Sequence, residues 1–148
     1  MNYKIKPGFS LIELMIIIGV IGILSLATIP AFRAYGPRLE LSGTARELAG
    51  DLRYIQQLAV TEQKEYCIKF FPVEKKYQTL QCGAGIFLKE KILPAQIQTL
   101  TVEGLTNNEV RYNPYGAVRE AGNVILTNVK GQTKTVSIKP SGFVDVLD

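Results

Sequence analysis

An uncharged apolar run occupies residues 14–32 of this 148-residue chain, and a single carboxylate, Glu13, stands immediately before it. At about 1.5 Å per helical residue the run covers roughly the 30 Å of a bilayer core. Hydrophobic residues make up 47% of the chain, and this run holds a disproportionate share of them. The remainder, from about Arg38, is mixed in polarity and long enough to close a modest core. These features predict one membrane segment followed by one small globular domain.

The order of parts at the amino terminus is not that of an ordinary secretory signal. Such a signal places a small-residue cleavage site after an apolar stretch of about 7–15 residues. Here Gly8 precedes the apolar run, and the run is long enough to remain as an anchor. A signal cut near Ala31 is therefore disfavoured. A carboxylate in a membrane helix costs about 2.5–3.5 kcal/mol on insertion scales and usually has a partner. The run offers Glu13 no Lys or Arg, which leaves two readings: a Glu that snorkels to the interface, or one paired with an amine from outside its own segment.

Charge and composition exclude several functions. The formal charge is +4 from 17 basic and 13 acidic residues; without Lys4 and Lys6, 15 basic residues against 13 leave +2. No single-sign block remains to suggest a nucleic-acid binder. The chain has no His, so a His-based triad is excluded, and two cysteines cannot close a zinc site unaided. No catalytic residues, metal ligands or cofactor are expected. Cys67 and Cys82 lie beyond the membrane segment and read as a disulfide, with two buried thiols as the alternative.

Leu41, Ala45, Leu48, Leu52, Ile55 and Ala59 recur at three- and four-residue steps, which predicts an amphipathic helix over 39–61 packed on a sheet. Pro30 and the Gly36-Pro37 pair are expected to kink or interrupt its continuation from the membrane helix. Strands are predicted at 66–71, 76–82, 86–88, 110–112, 123–127, 133–139 and 142–146, with a turn at Lys130-Gly131. A hairpin turn centred between Glu74 and Lys75 would place Cys67 directly opposite Cys82. Residues 93–108 read as a loop, and Gly83-Ala84-Gly85 as a turn. Asp51, Arg53, Arg46 and Glu47 read as surface charges on the helix. Tyr112 and Tyr115 beside Pro114 read as strand-end packing. The fold class is α+β: a long amino-terminal helix, half membrane-spanning and half amphipathic, packed on an antiparallel sheet.

Gly8-Phe9-Ser10-Leu11-Ile12-Glu13 resembles the processing site of type IV prepilins and type II secretion pseudopilins. The resemblance implies cleavage between Gly8 and Phe9 by a prepilin peptidase, N-methylation of Phe9, and an assembly role for Glu13 as the fifth mature residue. It divides the chain into a leader (1–8), a transmembrane and assembly helix (9–35) and a periplasmic pilin-like domain (36–148). The helix that ends at Arg53-Tyr-Ile-Gln-Gln-Leu-Ala59, the hairpin after it, and the Gly116, Gly131 and Gly142 segments resemble the GspH and FimT minor subunits. This implies a minor pilin or pseudopilin that starts or caps a filament. Its partners would be other pilins or pseudopilins, the prepilin peptidase and an inner-membrane platform. Lys4 and Lys6 favour a cytoplasmic amino terminus. A FimT-like minor pilin that captures DNA is the alternative function. The acidic end of this chain, 141–148, lacks the Arg-containing motif thought to serve that purpose, so nucleic acid is not an expected partner.

Overall fold

The computed structural model describes residues 8–147, except for the side chains of Ala27, Ile29, Pro30, Ala31, Arg33 and Ala34. The expected leader with Lys4 and Lys6, the side chains of Pro30 and Arg33, and Asp148 lie outside the described residues. The chain divides into two compact units, residues 1–36 and 37–148.

Helix α1 runs over Leu11–Glu62 and crosses the boundary between the units without a break. The expected interruption at Pro30 or at Gly36-Pro37 therefore does not end it. A proline removes one i→i−4 hydrogen bond and leaves the bonds on either side intact, so a long helix can absorb it.

In the second unit the chain builds two four-stranded antiparallel sheets, where the sequence reading expects one. Strands β1 (Tyr66–Phe71), β2 (Lys76–Gln81), β3 (Ile86–Ile92) and β5 (Glu109–Tyr112) form the first sheet, ordered β3-β2-β1-β5. Strands β4 (Ile97–Glu103), β6 (Gly122–Asn128), β7 (Thr133–Ile138) and β8 (Val144–Leu147) form the second, ordered β4-β6-β7-β8. The chain leaves the first sheet after β3, returns for β5, and leaves again for the rest of the second.

β4 occupies the stretch expected to be a loop. Its buried residues, Ile97 and Leu100, are three apart because the register shifts between Ile97 and Thr99. A bulge there breaks the period-two alternation by which a strand is recognised.

All six residues of the predicted stripe are at most 1% exposed, and Ala49 joins them. They form one core with Tyr66, Ile68, Phe70, Tyr77, Val110 and Tyr112 of the first sheet. From the second sheet come Ile97, Leu100, Val124, Leu126, Val136, Ile138 and Val144. Side chains at three- and four-residue steps share one helix face, which is why a single stripe serves both sheets. Truncating a fully buried member such as Leu52 to Ala would cost about 2–5 kcal/mol.

Helix charges read as ordinary surface residues instead tie α1 to its surroundings. Asp51 accepts from the Tyr77 hydroxyl (2.7 Å) and from Lys89 of β3 (3.0 Å to each oxygen). Lys91 reaches Glu47 at 2.7 Å, and Arg53 donates to the Val144 carbonyl at 2.8 Å. Gln56 donates to the carbonyls of Gly116 (2.8 Å) and Ser141 (3.4 Å), holding two turns together. Gly142 sits where those turns touch, at φ +83, and a Cβ there would lie 2.0 Å from the Gly116 carbonyl. Gly50 is the opposite case: it lies in the helix, exposed, with nothing within 4 Å of an added Cβ.

These two glycines should respond in opposite directions. Gly50→Ala is expected to stabilise the protein by up to about 1 kcal/mol through helix propensity. Gly142→Ala meets backbone at a left-handed position and should cost about 1–3 kcal/mol or more. Thermal unfolding of the detergent-extracted chain measures both; a neutral Gly142→Ala would contradict the packing described.

Candidate functional site

Gly8, Phe9 and Ser10 are exposed and precede the helix. The Ser10 carbonyl accepts from the backbone N–H groups of Glu13 (3.1 Å) and Leu14 (3.2 Å), so the helix begins directly after the motif. This puts Glu13 in the first turn, where a carboxylate is favoured by the positive end of the helix dipole. The side chains from Phe9 to Leu26, Glu13 included, are exposed, among them Leu11, Ile12, Leu14, Met15, Ile16 and Ile18. Two hydroxyls of this part of the helix are satisfied within it: Ser25 donates to the Ile21 carbonyl and Thr28 to the Leu24 carbonyl, both at 2.8 Å. Ser25 and Thr28 are thus turned back on their own backbone, and the side chains around them offer apolar surface. Among the described residues no helix is long and apolar enough to cross a membrane.

Cys67 and Cys82 are joined in a disulfide with Cα atoms 5.7 Å apart. The register beneath it differs from the one expected. Cys67 pairs with Leu80, and Phe71 with Lys76, so the loop is 72–75 and is centred between Val73 and Glu74. Pro72 opens this loop, and Lys75 closes it at φ +50, its N–H donating to the Pro72 carbonyl. Cys82 lies one residue beyond β2, and its N–H donates to the Glu65 carbonyl at 2.9 Å. The bridge therefore runs diagonally across the pair, between residues two positions apart in register. Glu109 lies beside both sulfurs. Sulfurs already bonded to each other supply no thiolate, so this trio does not make a metal site.

Two shallow clefts, of about 200 and about 260 Å³, share Arg111 and Arg119. Of their lining residues, Glu65, Glu109, Arg111 and Glu120 are engaged in structure. The Arg111 guanidinium pairs with Glu109 at 2.9 Å and approaches Glu65 at 3.6 Å. Glu120 accepts from the Thr106 N–H (2.7 Å) and hydroxyl (3.1 Å), which holds its carboxyl below the usual range. On β3, the Gln78 amide and Lys76 do the same for Glu90. The Tyr66 hydroxyl, which donates to Glu62, is pushed up to about 12. Burial raises Tyr77 and Tyr112 further. Of the two tyrosines read as strand-end packing, Tyr112 is fully buried and Tyr115 is 89% exposed. None of these groups is arranged as an acid, base and nucleophile.

A long helix whose first part presents apolar surface, and whose second part packs under two antiparallel sheets, defines the pilin and pseudopilin class. Comparison with known proteins narrows this. The model of the family described as Type II transport protein GspH matches residues 44–142, and that of the prokaryotic N-terminal methylation motif matches residues 4–29. A fimbrial protein of Pseudomonas aeruginosa is 30% identical over 145 residues, covering 94% of this chain and 83% of that protein. The minor pseudopilin EpsH of the Vibrio cholerae type 2 secretion system superposes with a TM-score of 0.62 at 13% identity, covering 73% of this chain and 96% of that one. The type IV minor pilin FimU of P. aeruginosa gives 0.60 at 18% identity, covering 75% and 90%. The chain belongs to the GspH family and is a minor pilin or pseudopilin, a structural subunit that assembles with other pilins.

The disulfide closes a loop with a sequence separation of 15. In the chain-entropy model a loop of that size contributes about 3 kcal/mol. Replacing both cysteines with Ala should lower the denaturation midpoint accordingly, read by urea unfolding. An unchanged midpoint would mean that the diagonal bridge adds nothing to the hairpin ladder.

Proposed function

We propose that the chain is a minor subunit that initiates or caps a type IV pilus or a type II secretion pseudopilus after a prepilin peptidase has removed residues 1–8. The observation that carries this reading is the union of two parts: a methylation motif over 4–29 and a GspH domain over 44–142, joined by one helix. On this reading the protein is a single-pass protein of the bacterial inner membrane with its domain in the periplasm, and it enters the filament from there. The inner-membrane assembly platform is its further partner.

The chemistry of the motif supports an order of events. Cleavage between Gly8 and Phe9 would create an amine at Phe9, and methylation would leave it cationic. Glu13 is exposed on the first turn of the helix that follows it. A carboxylate surrounded by apolar side chains gains most from an amine brought by a neighbouring subunit, where desolvation strengthens the pairing. Such a contact would set axial register without any catalytic group. The DNA-capture alternative draws less support, because affinity for duplex DNA depends on clustered cations free to meet phosphates. Lys64, Lys76, Lys89, Lys91 and Arg111 each pair with a carboxylate of the same domain.

Amino-terminal mass analysis of membrane-extracted protein should find a chain that begins at Phe9 and carries one added methyl group. A start near Phe32 would instead identify a removed signal peptide and end the filament reading. Glu13→Ala should insert into the membrane as well as wild type and be depleted from sheared filament fractions. Equal recovery of variant and wild type in those fractions would dismiss the role given to Glu13.

A further inference from the structure

We propose that the outer edge of β3 is a docking strand for an extended segment of a neighbouring, different pilin-type subunit. The inference rests on the filament-subunit reading and assigns a contact surface within it. β3 is the end strand of the first sheet, and its first residues form a continuous exposed apolar run: Ile86 (55%), Phe87 (58%) and Leu88 (41%). Ile92, at the other end, is 66% exposed. A run of this kind is a fault in a soluble surface unless something covers it.

The other edges are not built this way. β5 is backed by the returning chain, through the Tyr112–Val118 bridge and the bond from the Arg119 N–H to the Arg111 carbonyl (3.0 Å). β4 exposes Gln98, Thr99, Thr101 and Glu103, all polar, and β8 has four residues.

Charged residues normally guard an open edge by repelling a second strand. β3 has three in its middle, and each is neutralised by its own domain. Lys89 and Lys91 pair with the buried residues Thr79 and Tyr77 and turn toward α1, where they meet Asp51 and Glu47. Glu90 lies on the opposite face and is held by Lys76 and Gln78. The edge therefore retains its charges and presents no unpaired one to an incoming strand.

What can cover it follows from the backbone. The Leu93 N–H donates inward to the Lys75 carbonyl (2.8 Å). Antiparallel alternation then turns the N–H and C=O of Glu90 and Ile92 to the open side. A lipid surface has no complement for a row of donors and acceptors beside a Lys-Glu-Lys segment, whereas an extended backbone does. The partner segment would carry apolar residues where it passes residues 86–88. The start of β3 is also held in place: the turn that launches it begins at Cys82, which is bonded to Cys67 of β1. A strand fixed in advance loses little freedom on pairing.

The test uses full-length protein in its native membrane, with two variants of different kinds. Phe87→Glu places an unpaired charge in the apolar run. Glu90→Pro removes an outward N–H and leaves the inward ladder bonds, as edge strands tolerate. Both should form the disulfide and keep a wild-type thermal midpoint after detergent extraction. Both should fall about tenfold or more in sheared filament fractions, the scale of a lost interface anchor. If Glu90→Pro does not fold, Phe87→Glu alone decides. Wild-type recovery of a folded variant overturns the inference and leaves the filament reading standing. Absence of wild-type protein from those fractions fails the filament reading, and this inference with it. Concentration-dependent self-association of the extracted wild type, abolished by Phe87→Glu, would assign the edge to a second copy and overturn the partner named here.

Discussion

One helix face closes both halves of the core. Leu41, Ala45, Leu48, Leu52, Ile55 and Ala59 are shared between a sheet built from β1, β2, β3 and β5 and another built from β4, β6, β7 and β8. A four-stranded sheet with one wet face must bury the other against something. Here the same stripe meets that need for both sheets, so damage to it is felt on both sides. The flanking polar residues add direction to this apolar contact. Asp51, through Tyr77 and Lys89, anchors the first sheet, and Arg53, through the Val144 carbonyl, anchors the second. Gln56 holds the Gly116 and Ser141 turns at their junction. Hydrophobic burial supplies most of the stability, and these bonds fix which way round the sheets sit.

How much was legible in the sequence depended on whether a feature is local. The stripe could be read because helical periodicity is a property of neighbouring residues, and each of its positions is buried. The motif at 8–13 could be read for the same reason. The hairpin register could not: a Cys67–Cys82 bond is compatible with a directly opposed pair or a diagonal one, and the choice fell to the conformation of Pro72 and Lys75. β4 escaped notice because a bulge spaces its buried residues by three. Asp51, Glu47 and Arg53 look like solvent charges in a helical wheel, since their partners lie at least 26 positions away in the chain. Tyr112 and Tyr115 are separated by a turn that buries one and displays the other, and residue type alone does not distinguish them.

Within the domain, polar satisfaction is close to complete among the described residues. Asn128 is fully buried, and its side chain both accepts from the backbone of the Lys130-Gly131 turn and donates to Gln132. The Tyr112 hydroxyl is buried without a hydrogen-bond partner, a desolvation penalty of about 1–3 kcal/mol. Its cost is carried by a ring that fills the core beside Tyr66, its partner in the β1–β5 ladder. The domain therefore spends its polar chemistry on holding itself together.

That economy bears on how such a protein can act. A subunit that works by assembly influences a process through differential contacts, stronger in the assembled state than alone. The candidates are the surfaces whose exposure the isolated fold does not explain. In the first unit they are the apolar side chains around Glu13, where the same residues would serve first a lipid environment and later neighbouring helices. On β3 of the second unit Lys89 is already matched to Asp51 and Lys91 to Glu47, so long-range electrostatics contributes little to choosing a partner there. Selection then falls to short-range features: shape, apolar side chains and unpaired backbone. Those interactions act only at contact, which on the proposed reading suits a subunit that a membrane would already have oriented and concentrated near its neighbours.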